Sequence, residues 1–105
     1  MSKQYISPGP AREEIDSLTG KAVLQFGTDW CGVCQGAEPI IDDALRLFEN
    51  VNHIRVEDGP GRRLGRSFKV KLWPTLIFLK DGVEVGRLVR PNSKDEIKNE
   101  LSKLI

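Results

Sequence analysis

Residues 28–34 read TDWCGVC and contain the only two cysteines of the chain, Cys31 and Cys34. Two residues separate them, so both sulfur atoms can lie at one helix start, close enough to form a disulfide and to reopen it. A structural disulfide stabilises a protein more when it closes a longer loop, and this loop is very short. The pair is therefore better explained by reversible chemistry than by a structural role.

The flanking residues predict a strand before this motif and a helix after it. Ala22–Phe26 reads as a short buried strand, and apolar residues recur every three or four positions over 34–48, typical of an amphipathic helix. A helix N-terminus offers unsatisfied N–H groups and a partial positive charge, which favour a thiolate, the attacking form of cysteine. The pattern predicts Cys31 as the nucleophile and Cys34, one turn inside the helix and less exposed, as the resolving thiol.

The remaining elements predict an α/β architecture in one domain over 1–105. The predicted order is strand, helix, strand, helix, hairpin, helix, which implies a mixed sheet with helices on both faces. The other predicted elements are helices at 11–18, 63–68 and after Ser93, strands at 52–57, 75–79 and 83–89, and a short edge strand at Tyr5-Ile6.

Composition limits the classes of partner. Hydrophobic residues make up 39% and charged residues 30%, and the formal net charge is +1. A near-zero charge argues against nucleic-acid binding. No apolar stretch has the length of a signal peptide or a membrane span. We expect a soluble, cytoplasmic, monomeric protein without a nucleic-acid or membrane partner; in that compartment a Cys-x-x-Cys pair is catalytic, redox-sensing or metal-binding.

Metal binding is the main chemical alternative. A zinc site needs about four ligands, and the chain offers the two cysteines and His53, which we interpret as an ordinary strand histidine. The ligand count favours redox chemistry without a metal or other cofactor. A dimer that shares two cysteine pairs around one metal or cluster remains an alternative.

Several motifs in order resemble the thioredoxin family: the 30–34 stretch WCGVC after a strand, Pro39, Trp73-Pro74-Thr75 before a strand, and a Lys80-Asp81-Gly82 turn. The resemblance covers nearly the whole chain. It implies the thioredoxin fold, with a central mixed sheet of four to five strands. It also implies a thiol–disulfide oxidoreductase that reduces protein disulfides through a reversible Cys31–Cys34 disulfide. Disulfide-containing client proteins and a thioredoxin reductase-type electron donor are the implied partners.

The resemblance also implies a substrate groove. Pro74 matches the family's cis-proline opposite the cysteines, where it exposes the backbone of Trp73 to an extended substrate and keeps the thiols from capturing a metal. The implied substrate-binding residues are Trp30, Gly32, Val33, Trp73, Pro74 and Thr75.

The chain departs from the family pattern at four places. Val33 stands where the family carries proline, Gln35 replaces a positively charged residue, and Arg90-Pro91 replaces a glycine at the groove rim. Gln25 stands at the proton-transfer position of a buried aspartate; because glutamine cannot titrate, Cys34 must lose its proton to water or another group. These departures leave open a redox sensor or client-binding module with little turnover and, less favoured, an oxidant or isomerase.

Overall fold

The computed structural model describes residues 5–105, whose four strands form one sheet in the order β2-β1-β3-β4. Strand β1 pairs parallel with β2 and antiparallel with β3, which pairs antiparallel with β4. This confirms the predicted mixed sheet. The elements are α1 Arg12–Asp16, β1 Lys21–Gly27, α2 Gly32–Leu45, β2 Val51–Glu57, α3 Arg63–Ser67, β3 Thr75–Lys80, β4 Val83–Val89 and α4 Lys94–Ser102. The prediction of one domain over 1–105 stays a prediction.

A single bridge extends the sheet beyond β2. Ile6 pairs in parallel with Val56, and its N–H donates to the Arg55 carbonyl at 2.9 Å while its carbonyl accepts from the Glu57 N–H at 3.0 Å. The edge strand predicted at Tyr5-Ile6 is thus one bridge and not a fifth strand. The bridge at Ile6 holds the neighbouring, buried Tyr5 beside β2.

Each face of the sheet has its own apolar core. Leu24 and Phe26 of β1 pack with residues of α1 and α3, whereas Val23 packs with residues of α2 and α4. This confirms helices on both faces. Because alternate residues of a strand share a face, Gln25 lies on the same side as Val23, under α2.

Helix α2 begins earlier and ends earlier than the apolar pattern predicts. The start moves to Gly32 because the sulfur of Cys31 accepts a hydrogen bond from the Cys34 N–H at 3.2 Å and caps the helix. The end moves to Leu45, although Phe48 still packs against the core. The apolar spacing therefore marks the residues that are buried, and these continue past the last residue of the α-helix.

Candidate active site

The loop between β1 and α2 carries both cysteines, and they differ in accessibility. Both are free thiols. Cys31, the N-cap residue of α2, is 8% exposed, whereas Cys34 is 1% exposed. This confirms the predicted order of exposure. The Cys31 sulfur accepts a hydrogen bond from the Cys34 N–H at 3.2 Å and lies at the N-terminus of α2.

Two tryptophans stand beside Cys31 in different environments. Trp30 is 73% exposed, and its ring meets the half-buried ring of Trp73 edge-on, with 5.8 Å between centroids. The indole N–H of Trp73 donates to Asp58 Oδ2 at 2.8 Å, which holds that ring in place. The structure thus brings these two predicted groove residues together, with an apolar surface open to solvent.

The Trp73–Pro74 peptide bond is cis, as the resemblance implies. Thr75 follows as the first, buried residue of β3. The backbone of Trp73 is not fully open to a substrate, however, because Arg90 Nε donates to its carbonyl at 2.8 Å, and the Arg90 N–H donates to the Pro74 carbonyl at 2.9 Å. The resemblance implies an exposed backbone at Trp73, whereas in the structure Arg90 at the groove rim covers the Trp73 carbonyl.

Gly32 and Val33 form the exposed start of α2. Val33 is 45% exposed and shares a shallow groove with other residues of α2 and with Arg90 and Pro91, which follow β4. A Cβ on Gly32 would meet no atom within 4 Å. Both residues therefore face solvent around Cys31.

Gln25 is fully buried and joins three side chains from other segments. Its Nε2 donates to the Tyr5 hydroxyl oxygen at 2.7 Å and to Glu38 Oε1 at 3.0 Å, and its Oε1 accepts from His53 Nε2 at 2.7 Å. The carboxylate partner fixes the orientation of the amide, since only its nitrogen can donate. Gln25 is thus the centre of a hydrogen-bond network, and it carries no ionisable proton.

The Tyr5 hydroxyl reaches the inner cysteine across Gly27. A Cβ at Gly27 would lie 2.7 Å from both the Cys34 sulfur and the Tyr5 hydroxyl oxygen, so only glycine allows this approach. Burial raises the pKa of Cys34 to about 11, and the hydrogen bond from Tyr5 acts in the opposite direction. Burial also raises the pKa of Tyr5 above its usual range, so the hydroxyl stays protonated and donates.

An ion pair closes the network on the side of β2. Arg55 is 7% exposed and pairs with Oε2 of the half-buried Glu38, and its guanidinium lies 5.4 Å from the centroid of the Tyr5 ring. Sequence reasoning missed Tyr5, Glu38 and Arg55 as site residues. One signal was present: Glu38 follows Cys34 by four positions, which places both on one helix face.

Two features of residues 5–105 bear on metal binding and on membrane insertion. Within that range no group of three or more histidine, cysteine, aspartate or glutamate side chains is placed to hold a metal ion. None of the helices described there is long and apolar enough to cross a membrane.

The sheet is covered on both faces, a helix-capping cysteine pair follows β1, and a cis-proline directly precedes the neighbouring strand β3. Together these features define a protein of thiol–disulfide exchange. The family model of thioredoxin matches residues 8–103, and the chain belongs to the thioredoxin family. Thioredoxin from Oryctolagus cuniculus is 30% identical over 106 residues that span all of both chains. Thioredoxin H2-1 from Oryza sativa subsp. japonica is 30% identical over 84% of this chain, which spans 63% of that protein's length.

Solved structures agree with this assignment. Reduced thioredoxin 2 from Pseudomonas aeruginosa PAO1 superposes with a TM-score of 0.87 at 51% identity, covering 99% of this chain and 96% of that one. Thioredoxin NaTrxh from Nicotiana alata gives 0.73 at 28% identity, covering 89% and 80%. The chain is accordingly a thiol–disulfide oxidoreductase with the thioredoxin fold, and the alternative of a binding module with little turnover is not favoured.

Proposed function

We propose that this chain reduces disulfides of client proteins, with Cys31 as nucleophile and Cys34 as resolving thiol. The observation that carries the proposal is the asymmetry of the pair. The outer sulfur caps α2 beside an exposed tryptophan, while the inner sulfur is buried one turn further on. A client disulfide can therefore reach Cys31 first, and Cys34 is held where it can attack only the bond that forms there.

The reaction consists of two exchanges. The Cys31 thiolate attacks one sulfur of the client, forming a mixed disulfide and releasing the other client sulfur as a thiolate. Cys34 then loses its proton and attacks the Cys31 sulfur, and the second client sulfur leaves. Two electrons have passed to the client, and Cys31–Cys34 is a disulfide. A thioredoxin reductase-type donor of two electrons restores the dithiol, and a reducing compartment such as the cytoplasm suits this direction.

The client lies along the groove that Trp30 and Trp73 form. Exposed aromatic surface next to the reacting sulfur supplies apolar contact area with little loss of conformational freedom. The exposed Gly32 and Val33 extend the proposed contact surface around Cys31, and the buried Pro74 and Thr75 support it from beneath. A monomer suffices for this binding. An extended client segment that pairs with the Trp73 carbonyl must first displace Arg90.

Variants of each cysteine test these roles with insulin as the client. Cys31→Ser should abolish reductant-driven insulin reduction, whereas Cys34→Ser should accumulate a mixed disulfide that is visible on a non-reducing gel and disappears with excess dithiol. Coupling the wild-type chain to thioredoxin reductase and NADPH should sustain turnover. Lack of insulin reduction with both thiols accessible would contradict the proposal, as would full turnover by Cys34→Ser.

A further inference from the structure

The resolving step needs a proton acceptor that the motif does not supply. With a pKa of about 11, Cys34 is almost wholly protonated near neutral pH, and its thiol cannot attack. The nearest buried polar side chain on β1, Gln25, is an amide and cannot take the proton. Any acceptor must therefore come from another element that borders the inner sulfur.

A small cavity of about 60 Å³ connects the inner cysteine with a carboxylate on the same helix. Cys34 and Glu38 both line it, one helical turn apart, so their side chains lie on one face of α2. The carboxylate is held in place at both oxygens, by the Gln25 amide on Oε1 and by Arg55 on Oε2. These two contacts, from β1 and β2, fix the position of the Glu38 carboxylate beside the cavity.

The side chains that line this cavity are polar. Besides Cys34 and Glu38 they are Tyr5, Thr28, Asp29, Gln35 and Arg55. A polar cavity of this volume has room for water, which satisfies such groups. Water in this cavity can carry a proton between the Cys34 thiol and the Glu38 carboxylate, so the two groups need not touch.

We propose that Glu38 accepts the proton of Cys34 in the resolving step, with Gln25 and Tyr5 as its positioning residues. The inference rests on the proposed function. The proton passes from the Cys34 sulfur through water to a Glu38 oxygen. The Cys34 sulfur then forms a bond to the Cys31 sulfur, the bond from Cys31 to the client breaks, and the client thiolate takes up a proton from solvent.

The Tyr5 hydroxyl assists without changing its protonation. Its oxygen accepts from Gln25 Nε2, so its own proton is directed to the Cys34 sulfur, where it stabilises the thiolate as it forms. The ionisable and charged groups around Cys34 are Tyr5 from the N-terminal segment, Asp29 and Cys31 from the loop, Glu38 from α2, and His53 (through Gln25) and Arg55 from β2. Asp29 is the competing carboxylate, but it is exposed and accepts from the Tyr5 N–H at 3.1 Å.

A chromogenic disulfide separates the two exchanges in one experiment. When the reduced protein meets dithiobis(nitrobenzoate), attack by Cys31 releases the first coloured thiolate and attack by Cys34 releases the second. Glu38→Gln should leave the first release unchanged and slow the second by about 100-fold or more at pH 7, within the usual effect of general base catalysis. The slowing should shrink as the pH approaches 11, where the Cys34 thiol ionises without help.

Matched variants distinguish an acceptor from a structural contact. Asp29→Asn, which removes the other carboxylate of the cavity, and Asp43→Asn on an exposed turn of α2 should both keep the wild-type second release. Glu38→Gln leaves the buried Arg55 without its ion-pair partner, which could itself disturb the site. The double variant Glu38→Gln with Arg55→Gln removes both charges and controls for this effect. Gln25→Asp in the Glu38→Gln background should restore the second release by supplying a new carboxylate.

Three results would overturn the inference. The first is a second release that is unchanged in both the single and the double Glu38 variants. The second is a slowing that stays equal at every pH, which marks a structural effect, and the third is a loss confined to Asp29→Asn. Different results would contradict the proposed function. These are the absence of the first release in the wild-type protein, or a first release that persists in Cys31→Ser.

Discussion

At the scale of the residue, the Tyr5 hydroxyl tunes the inner thiol. It donates to the Cys34 sulfur while its ring is held under the Arg55 guanidinium. Tyr5→Phe keeps the ring and removes the donor, so the thiolate loses a hydrogen bond to a charged group, a contribution of about 1.5–3 kcal/mol. The pKa of Cys34 should therefore rise above about 11 by about one unit or more.

The titration of that single thiol checks this prediction. In a Cys31→Ser background, the carbon chemical shift of the Cys34 Cβ against pH reports that thiol alone, and the same background with Tyr5→Phe gives the comparison. Identical titration curves would show that the hydroxyl does not act on the sulfur. Circular dichroism at each pH verifies that both variants are still folded.

Single residues also show how far the sequence predicts the site. Cys31, Cys34 and Trp30 come from one local motif, so their spacing is enough to place them at a helix start. Tyr5 and Glu38 gain their positions from contacts with Gln25, and these depend on how separate segments pack. The four-residue spacing of Cys34 and Glu38 is local, but the contacts of Tyr5 and Glu38 with Gln25 are not, which is why the hydrogen-bond network beneath Cys34 could not be predicted.

At the scale of the element, strands and helices follow local patterns while their ends follow individual hydrogen bonds. The β3–β4 hairpin was predicted correctly from Asp81-Gly82, because both residues adopt the positive φ that a tight two-residue turn requires. The N-terminal bridge at Ile6 was overestimated as a strand, since its pairing extends over one residue only. Apolar spacing reports which face is buried, and it does not report where pairing stops.

The segment between β4 and α4 carries a testable element-scale effect. Arg90 has a φ of 53°, which is unfavourable for a side chain, and it holds the Trp73 carbonyl. Arg90→Gly suits that φ and leaves the Trp73 carbonyl free. A client can then bind this carbonyl without first breaking its hydrogen bond to Arg90. The KM for insulin reduction should fall by about 2- to 10-fold, the equivalent of one net hydrogen bond, with kcat little changed.

A matched variant separates the hydrogen bond from the charge at this position. Arg90→Lys keeps a positive charge and lacks the guanidinium Nε that holds the carbonyl. If the contact with Trp73 matters, both variants should lower the KM; if charge alone matters, only the glycine variant should change it. An unchanged KM in both would show that the Trp73 carbonyl takes no part in client binding.

At the scale of the whole molecule, burial of the Cys34 thiol makes the free energy of unfolding depend on pH in the alkaline range. In the unfolded chain Cys34 ionises near about 8.5, as free cysteine does, whereas in the fold burial raises its pKa to about 11. Between these values the folded state retains a proton that the unfolded state has lost. The stabilisation is therefore complete below the unfolded pKa and is lost as the pH rises toward the folded value.

Denaturant unfolding of the reduced protein at several pH values tests this linkage. The difference in unfolding free energy between wild type and Cys34→Ser should be constant below about pH 8 and then fall by up to about 1.4 kcal/mol per pH unit. The comparison is made below about pH 9, where Tyr5 keeps its proton in the folded and the unfolded chain of both proteins. The oxidised protein, which has no thiol to titrate, should resemble Cys34→Ser in slope. Parallel pH profiles for reduced wild type and Cys34→Ser would mean that the inner thiol ionises as readily in the fold as in the unfolded chain, and the need for a proton acceptor beside it would disappear.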